Sequence, residues 1–267
     1  MIIHRLFNKR TAAVLMSMVL LSACGNDKTS TAQNTEVAKT DVPMTVLRFA
    51  TEGAFPPYNY TNEDGSLGGF DVDIANAICD KMQVKCEISA QDWDGIIPAL
   101  KTGKYDAIID ALSITPERQE QVDFSEPYYS NPLVFVAKKD SNFDPTNPDD
   151  INNNTILAQR GTIAVTWMEE NHPDAKLLLQ DTLTNSFLDL AAGRAAATVV
   201  DRSAANTWIK TEVGKDFTIK GPEISFNDSV AIAINKGNPQ LLSKINNALA
   251  EMKADGTYDE IVTKNNF

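Results

Sequence analysis

The sequence predicts an α/β chain of two lobes joined by two strands, and three observations carry that reading. Short apolar runs of strand character alternate with stretches of helical period, the order that builds parallel sheets with crossover helices. LVFVAKK, beginning at Leu133, reads as a strand that leaves the first unit, and SVAIAIN, from Ser229 to Asn235, reads as a second crossing strand. Between them lies a second unit with a similar order of elements and no internal sequence repeat. The first lobe is then discontinuous, residues 45–132 plus 229–267, and residues 133–228 form the second. Two lobes on two strands make a hinge with a cleft between them. In open α/β sheets, ligands gather at the C-terminal ends of the strands.

The elements follow in order. Val46 to Ala50 is a first strand. Phe55-Pro56-Pro57-Tyr58 is a loop, because proline removes a helical donor. Asp71 precedes a helix with Ile74, Ile78 and Met82 on one face. Cys86 to Ser89 is the next strand, and Asp94 caps a short helix that turns Ile96, Ile97 and Leu100 inward. Tyr105 to Ile109 is a buried strand. Thr115-Pro116-Glu117-Arg118 has a cap residue, proline at the first helical position and an acid in the first turn. In the second unit, a Pro/Asn/Asp-rich loop leads to a strand at Ile156 to Ala158, and Gly161-Thr162 starts a helix. Thr184 to Ala192 is amphipathic and ends at Gly193; Ala197 to Val200 is a buried strand ending at Asp201. A helix from Pro239 to Ala254 places Leu242, Ile245, Leu249 and Met252 on one face, and Asp255-Gly256 closes it.

The N-terminus predicts export. Arg5, Lys9 and Arg10 form a basic head, an apolar run from Thr11 to Leu21 follows, and Leu21-Ser22-Ala23-Cys24 comes next. The run is too short for a permanent membrane helix, which needs about 20 residues. Leu21 to Cys24 resembles a lipobox, so residues 1–23 are expected to be removed and Cys24 lipidated; an ordinary signal peptide that happens to hold a cysteine is the alternative. Residues 24–44 then tether the domain to a membrane, at the periplasmic or cell-surface side. Apart from that lipid, no membrane contact is expected.

The formal charge of −12 becomes −15 once the three basic residues of the head are lost. A chain this acidic lacks the basic footprint that nucleic acid requires. Cys79 and Cys86 remain as a pair in an oxidising compartment, one late in a helix and one in the strand beyond, which predicts a disulfide. No metal site is expected, because the histidines are His4 and His172 alone and His4 is removed.

Several segments then become specific. FATEGAFPPYNY, GGFDVDIANAIC, WDGIIPALKTGKYDAII, LSITPERQEQVDFSEPYY and EMKADGTYDEI closely resemble segments of the bacterial extracellular solute-binding proteins of family 3, the polar amino acid binders of ABC importers. The resemblance runs from about residue 46 to the C-terminus, in order and at the family's spacing. It implies a type II periplasmic binding protein-like fold: two mixed sheets flanked by helices and joined by a two-strand hinge. It also implies a monomeric binder without cofactor that delivers an amino acid to the permease subunits of an ABC importer. Within the family the chain looks most like the binders of arginine, lysine, ornithine and histidine, with arginine foremost, and the related opine binders. Cys79 and Cys86 match a disulfide found in several of these.

An α-amino acid presents a carboxylate, an ammonium and a side chain, and each needs partners once water is excluded. Arg118 offers two parallel donors to a carboxylate from a helix's first turn; from the residues alone it serves equally to pair with Glu120 or Glu126. The family match favours the ligand, with backbone N–H groups of Ser113, Thr162 and Ile163 completing the carboxylate's bonds. Asp201 is the expected ammonium partner, with the Ser113 hydroxyl and the Ala111 carbonyl; its other reading is a helix cap. The ligand side chain is expected among Glu52, Phe55, Trp93, Asp110 and Gln159, with the two rings gripping a cation and Glu52 neutralising it.

Two positions depart from the family. Asp110 stands where relatives usually carry Ser or another small residue, and Ile163 stands where Thr or Ser is common. Arg160, on the same rim as Gln159, offers a partner to a second carboxylate, which keeps an opine in play beside glutamine or another polar amino acid. A dehydratase-like enzyme on the same fold is the remaining alternative. Against it, the sequence has no GxSxG, no HExxH, no phosphate loop and no nucleophile beside a base.

Overall fold

A computed structural model describes residues 44–267. The signal segment, Cys24 and the tether up to residue 43 lie outside the described residues. The chain opens with β1 (Val46–Thr51), β2 (Ala54–Phe55), β3 (Asn59–Thr61), β4 (Leu67–Gly68), α1 (Phe70–Met82), β5 (Lys85–Ala90), α2 (Trp93–Lys101) and β6 (Ala107–Ile108). It continues through α3 (Pro116–Gln121), β7 (Val122–Phe124), β8 (Tyr129–Ser130) and β9 (Leu133–Lys138). Next come α4 (Pro148–Asn152), β10 (Thr155–Gln159), α5 (Ile163–Asn171), β11 (Lys176–Gln180), α6 (Leu183–Ala191), β12 (Ala197–Asp201) and α7 (Arg202–Trp208). It closes with β13 (Phe217–Ile224), β14 (Ser229–Val230), β15 (Ala233–Asn235), α8 (Pro239–Asp255) and α9 (Thr257–Lys264).

The two main sheets share one plan. The first runs β5-β1-β6-β15-β7, with β1 parallel to β5 and β6 and β15 antiparallel to its neighbours. The second runs β11-β10-β12-β9-β13, with β10 parallel to β11 and β12 and β9 antiparallel to its neighbours. Each sheet is thus a parallel trio followed by one strand of opposite sense and an edge strand that returns to the sense of the trio, and the fold is the expected two-lobed one. On the first sheet, Ile74 and Ile78 of α1 join Ile245, Leu249 and Met252 of α8 in one buried cluster. Beside it, Cys79 and Cys86 form a disulfide with their Cα atoms 5.5 Å apart.

Several local expectations need correction. LVFVA does not cross between the sheets. Its five residues are all buried, so β9 needs cover on both faces and lies inside the second sheet. SVAIAIN is two short strands. Its start, β14, pairs antiparallel with β8, Ser229 opposite Ser130 and Val230 opposite Tyr129, and β15 joins the first sheet two residues later. The expected strand from Tyr105 to Ile109 shrinks to β6; just before it, the Asp106 N–H still donates to the Arg48 carbonyl at 2.9 Å and its carboxylate accepts from the Arg48 guanidinium at 2.8 Å and 3.0 Å. α2 begins after Asp92, which leaves Asp94 inside its first turn. Asp71 likewise sits inside the first turn of α1, fully buried.

The α3 start is as read: the Thr115 hydroxyl accepts the Arg118 N–H at 3.3 Å, with Pro116 at the first helical position. Gly256 closes α8 with φ +86°, a left-handed turn that L side chains rarely adopt.

Candidate functional site

The C-terminal ends of the central strands meet across a single cleft. From the first sheet, β1 delivers Glu52, and the segment after β6 delivers Asp110, Ala111 and Ser113. Phe55, Trp93 at the start of α2 and Arg118 in α3 complete that wall. From the second sheet, β10 delivers Gln159, the start of α5 delivers Thr162 and Ile163, and β12 delivers Asp201. Every cleft residue named from the sequence lines this one cavity, which encloses about 320 Å³ with its solvent-filled mouth included.

Arg118 turns into the cleft rather than toward Glu120 or Glu126. Its Nη1 donates to the Ser113 carbonyl at 2.8 Å and its Nη2 to the Gly161 carbonyl at 3.1 Å, across the two walls. The guanidinium lies 5.3 Å from the centre of the Trp93 ring. The tryptophan is therefore not free to grip only a ligand: its face already supports the protein's own arginine. Gly161 has φ +68°, and a Cβ added there would come within 3.2 Å of Trp93 Nε1. This glycine lets the second wall approach the first. The Thr162 hydroxyl turns back to donate to the Gln159 carbonyl at 2.8 Å, so Thr162 offers the cleft its backbone rather than its side chain. α5 begins there, with unpaired N–H groups and the positive end of its dipole in the wall.

Three acids, Glu52, Asp110 and Asp201, also line the cleft. Gln159 Nε2 donates to Glu52 Oε1 at 2.8 Å, a second link between the walls. Asp110 is buried and uses one oxygen for everything: Oδ1 accepts from Asn59 Nδ2 at 2.7 Å, the Glu52 N–H at 3.1 Å and the Thr51 hydroxyl at 3.3 Å. Its Oδ2 is buried and has no hydrogen-bond partner among the described residues. Asp201 precedes α7 but makes no side-chain cap bond, so the cap reading fails and its carboxylate is left to the cleft.

The electrostatics follow from geometry. Burial pushes the Glu52 carboxyl up to about 7, against the bond from Gln159, with Asp92 and Asp94 adding repulsion. Burial, then the charges of Glu52 and Asp71, hold Asp110 well above the usual carboxylate range. Burial raises Asp201 to about 7, against the attraction of Arg118, and lowers Arg118 to about 10. One guanidinium is too little positive charge to keep three buried carboxyls fully ionised.

A layer beneath the site was not foreseen. Asp71 Oδ2 accepts the Ala111 N–H at 2.8 Å and Asn59 Nδ2 at 3.1 Å, and its Oδ1 accepts the Tyr128 hydroxyl at 2.6 Å. Asn59 is itself fixed by the Gly53 N–H, which donates to its Oδ1 at 2.7 Å. Together they hold Ala111 at φ +43°, uncommon for a residue with a side chain. The signal was present: Asp71 falls on the same helical stripe as Ile74 and Ile78, where a carboxylate must be buried. Arg160, by contrast, stays outside the cavity. It is half-exposed and pairs with Asp181 at 3.1 Å and Asp94 at 3.7 Å.

Comparison with known proteins follows the same outline. The family described as bacterial extracellular solute-binding proteins, family 3, matches residues 47–266. The chain is similar to the ABC transporter arginine-binding protein 1 of Escherichia coli (strain K12), 36% identical over 218 residues, 80% of this chain and 88% of that protein. It is also similar to the solved structure of an ancestral arginine-binding protein bound to arginine, with TM-score 0.79 and 38% identity, covering 84% of this chain and 99% of that one. A related structure, an ancestral arginine-binding protein bound to glutamine, has TM-score 0.77 and 39% identity over 82% of this chain and 97% of that one.

Proposed function

The chain belongs to the bacterial extracellular solute-binding proteins of family 3, and on that premise we propose that it captures a basic L-amino acid in the cleft and hands it to the permease of an ABC importer. Arginine is the foremost ligand, followed by lysine, ornithine and histidine. The observation that carries this reading is the charge arrangement, one buried guanidinium at one end and a surplus of carboxylates around the rest. An amino acid with a cationic side chain brings net positive charge to that surplus, while glutamine brings none.

The roles follow the polarity of the walls. Arg118, the N–H of Ser113 and the first N–H groups of α5 at Thr162 and Ile163 take the ligand carboxylate. Asp201, the Ser113 hydroxyl and the Ala111 carbonyl take the α-ammonium. Glu52, Asp110, Phe55, Trp93 and Gln159 surround the side chain. The cleft is narrow and lined from both walls by polar groups, as a small polar ligand requires. An opine carries a second carboxylate, and Arg160 is already committed to Asp181 and Asp94.

The lobes divide as residues 45–132 plus 229–267 and residues 133–228, with β8 and β14 as the hinge ribbon. The ligand draws partners from both lobes, so binding favours closure. A monomer, lipidated at Cys24 and held by residues 24–44 outside the cytoplasmic membrane, then presents the closed form to the importer. The matching family is one of binding proteins, and a catalytic role forms no part of the proposal.

Titration calorimetry against arginine, lysine, ornithine, histidine, glutamine and octopine tests this. Arginine is expected to bind tightest. Glutamine or octopine binding tightest would overturn the side-chain assignment.

A further inference from the structure

Asp110 is a carboxylate with one overworked oxygen and one idle one. A purely structural buried acid spreads its bonds over both oxygens, since a buried polar atom without a partner is costly. Here Thr51, Glu52 and Asn59 all converge on Oδ1, which leaves Oδ2 buried and unpartnered on a residue that lines the cavity. The three donors also fix the carboxyl plane, so the idle oxygen cannot swing to another partner. Asp110 sits beside a second acid, Glu52, whose backbone N–H it accepts. Two buried acids this close do not both ionise without a cation between them or near them.

The charged and titratable groups around the pair are few. Asp71 from α1 and Tyr128 face Asp110 through Asn59 and the Asp71 carboxylate. Arg118 from α3 is drawn by both Asp110 and Asp201. Asp92 and Asp94 repel Glu52 from the α2 side. Arg118 is the one cation among them, and its guanidinium nitrogens are turned to the carbonyls of Ser113 and Gly161.

Resting on the functional reading above, we infer that Asp110 selects cationic ligands by proton exchange: the Glu52–Asp110 pair holds a proton in the unliganded cleft and releases it to solvent when the ligand's side-chain cation takes its place at Asp110 Oδ2. The balance is one O–H bond broken at the carboxyl, one proton to water, and one carboxylate–cation pair formed. A neutral side chain cannot displace the proton, so it meets a neutral acid and gains no ion pair. The direction agrees with the raised Glu52 and Asp110 carboxyls: the site binds cations worse as pH falls, because protons then compete. Asp201 also titrates, but it answers to the α-ammonium that every amino acid carries, so it adds equally for all ligands.

Calorimetry of the mature chain in buffers of different ionisation enthalpy counts the protons released. At pH 7, arginine is expected to release more protons than glutamine, by up to one per ligand. Between pH 7 and pH 5 the arginine affinity is expected to fall more steeply than the glutamine affinity, by up to about tenfold per pH unit for one linked proton. Asp110→Asn is expected to collapse the difference between the two ligands. The comparison in the unsubstituted chain stands even where that variant folds poorly. Arginine binding with the same proton release and pH slope as glutamine overturns the inference and leaves the functional reading intact. Absence of binding by any basic amino acid overturns the functional reading and the inference with it.

Discussion

The first lobe meets the cleft with side chains, whereas the second meets it mainly with backbone and strand ends. Glu52, Phe55, Trp93, Asp110 and Arg118 all come from the first lobe, and a second layer of Asp71, Asn59 and Tyr128 fixes Asp110 and Ala111 among them. The second sheet offers the start of α5, the Gly161 carbonyl, Gln159 and Asp201. The difference teaches how binding and motion divide. A wall braced from beneath can hold a ligand's shape before closure, because its rotamers are already fixed. A wall of helix ends and carbonyls can dock late, because its groups need no rearrangement.

Removing the residue that joins both walls gives the largest expected effect. Arg118 donates to the Ser113 carbonyl on its own side and the Gly161 carbonyl on the other, and it is the cation facing the acid end. Breaking a buried charged pair costs about 3–5 kcal/mol. Arg118→Ala is therefore expected to weaken every amino acid ligand by more than about a hundredfold. Calorimetry checks this, with a thermal melt to confirm folding. Retained affinity for any α-amino acid would remove the carboxylate role.

Gly161→Ala attacks the other side of the comparison. Alanine at φ +68° is strained, and its Cβ would press on Trp93 Nε1 at 3.2 Å, where the indole supports Arg118. The φ strain costs about 1–2 kcal/mol in open and closed forms alike, whereas the Trp93 contact falls on the closed form because Trp93 belongs to the opposite wall. The expected outcome is a lowered melting temperature and a loss of affinity shared by arginine and glutamine. A loss confined to arginine would mean that the second wall reads the side chain, contrary to its backbone character.

The same contrast explains what the sequence made legible. Residues whose chemistry points to charge recognition, such as Arg118, Asp201 and Glu52, stand out because they end buried runs or begin helices. The parallel trios and the disulfide follow from strand–helix alternation and from cysteine count in an exported chain. The hinge did not follow in detail. The long apolar β9 dominates the pattern, yet it lies inside the second sheet, and the proposed hinge strands β8 and β14 are two residues each, a pairing that leaves almost no periodic signal. Nor did the layer beneath the site, since Asn59 acts through two carboxylates that come near it only in three dimensions. The second face of Trp93's work, under Arg118 rather than a ligand, depends on a rotamer that spacing alone does not encode.

The smallest expected effect is at the rim, and it separates closure from recognition. Arg160 reaches from the second lobe to Asp94 on the first at 3.7 Å, while holding Asp181 beside it at 3.1 Å. All three side chains are at least half-exposed, so solvent and salt screen them, and such pairs contribute about 0–1 kcal/mol. Arg160→Ala is expected to change arginine affinity by less than about fivefold, to act mainly on the rate of ligand release, and to lose its effect in high salt. Stopped-flow release kinetics at two ionic strengths read both quantities. A large, salt-insensitive loss of affinity would place Arg160 inside the recognition site, beside a ligand's second carboxylate. The opine reading would then return, and the second wall would count as a reader of side chains after all.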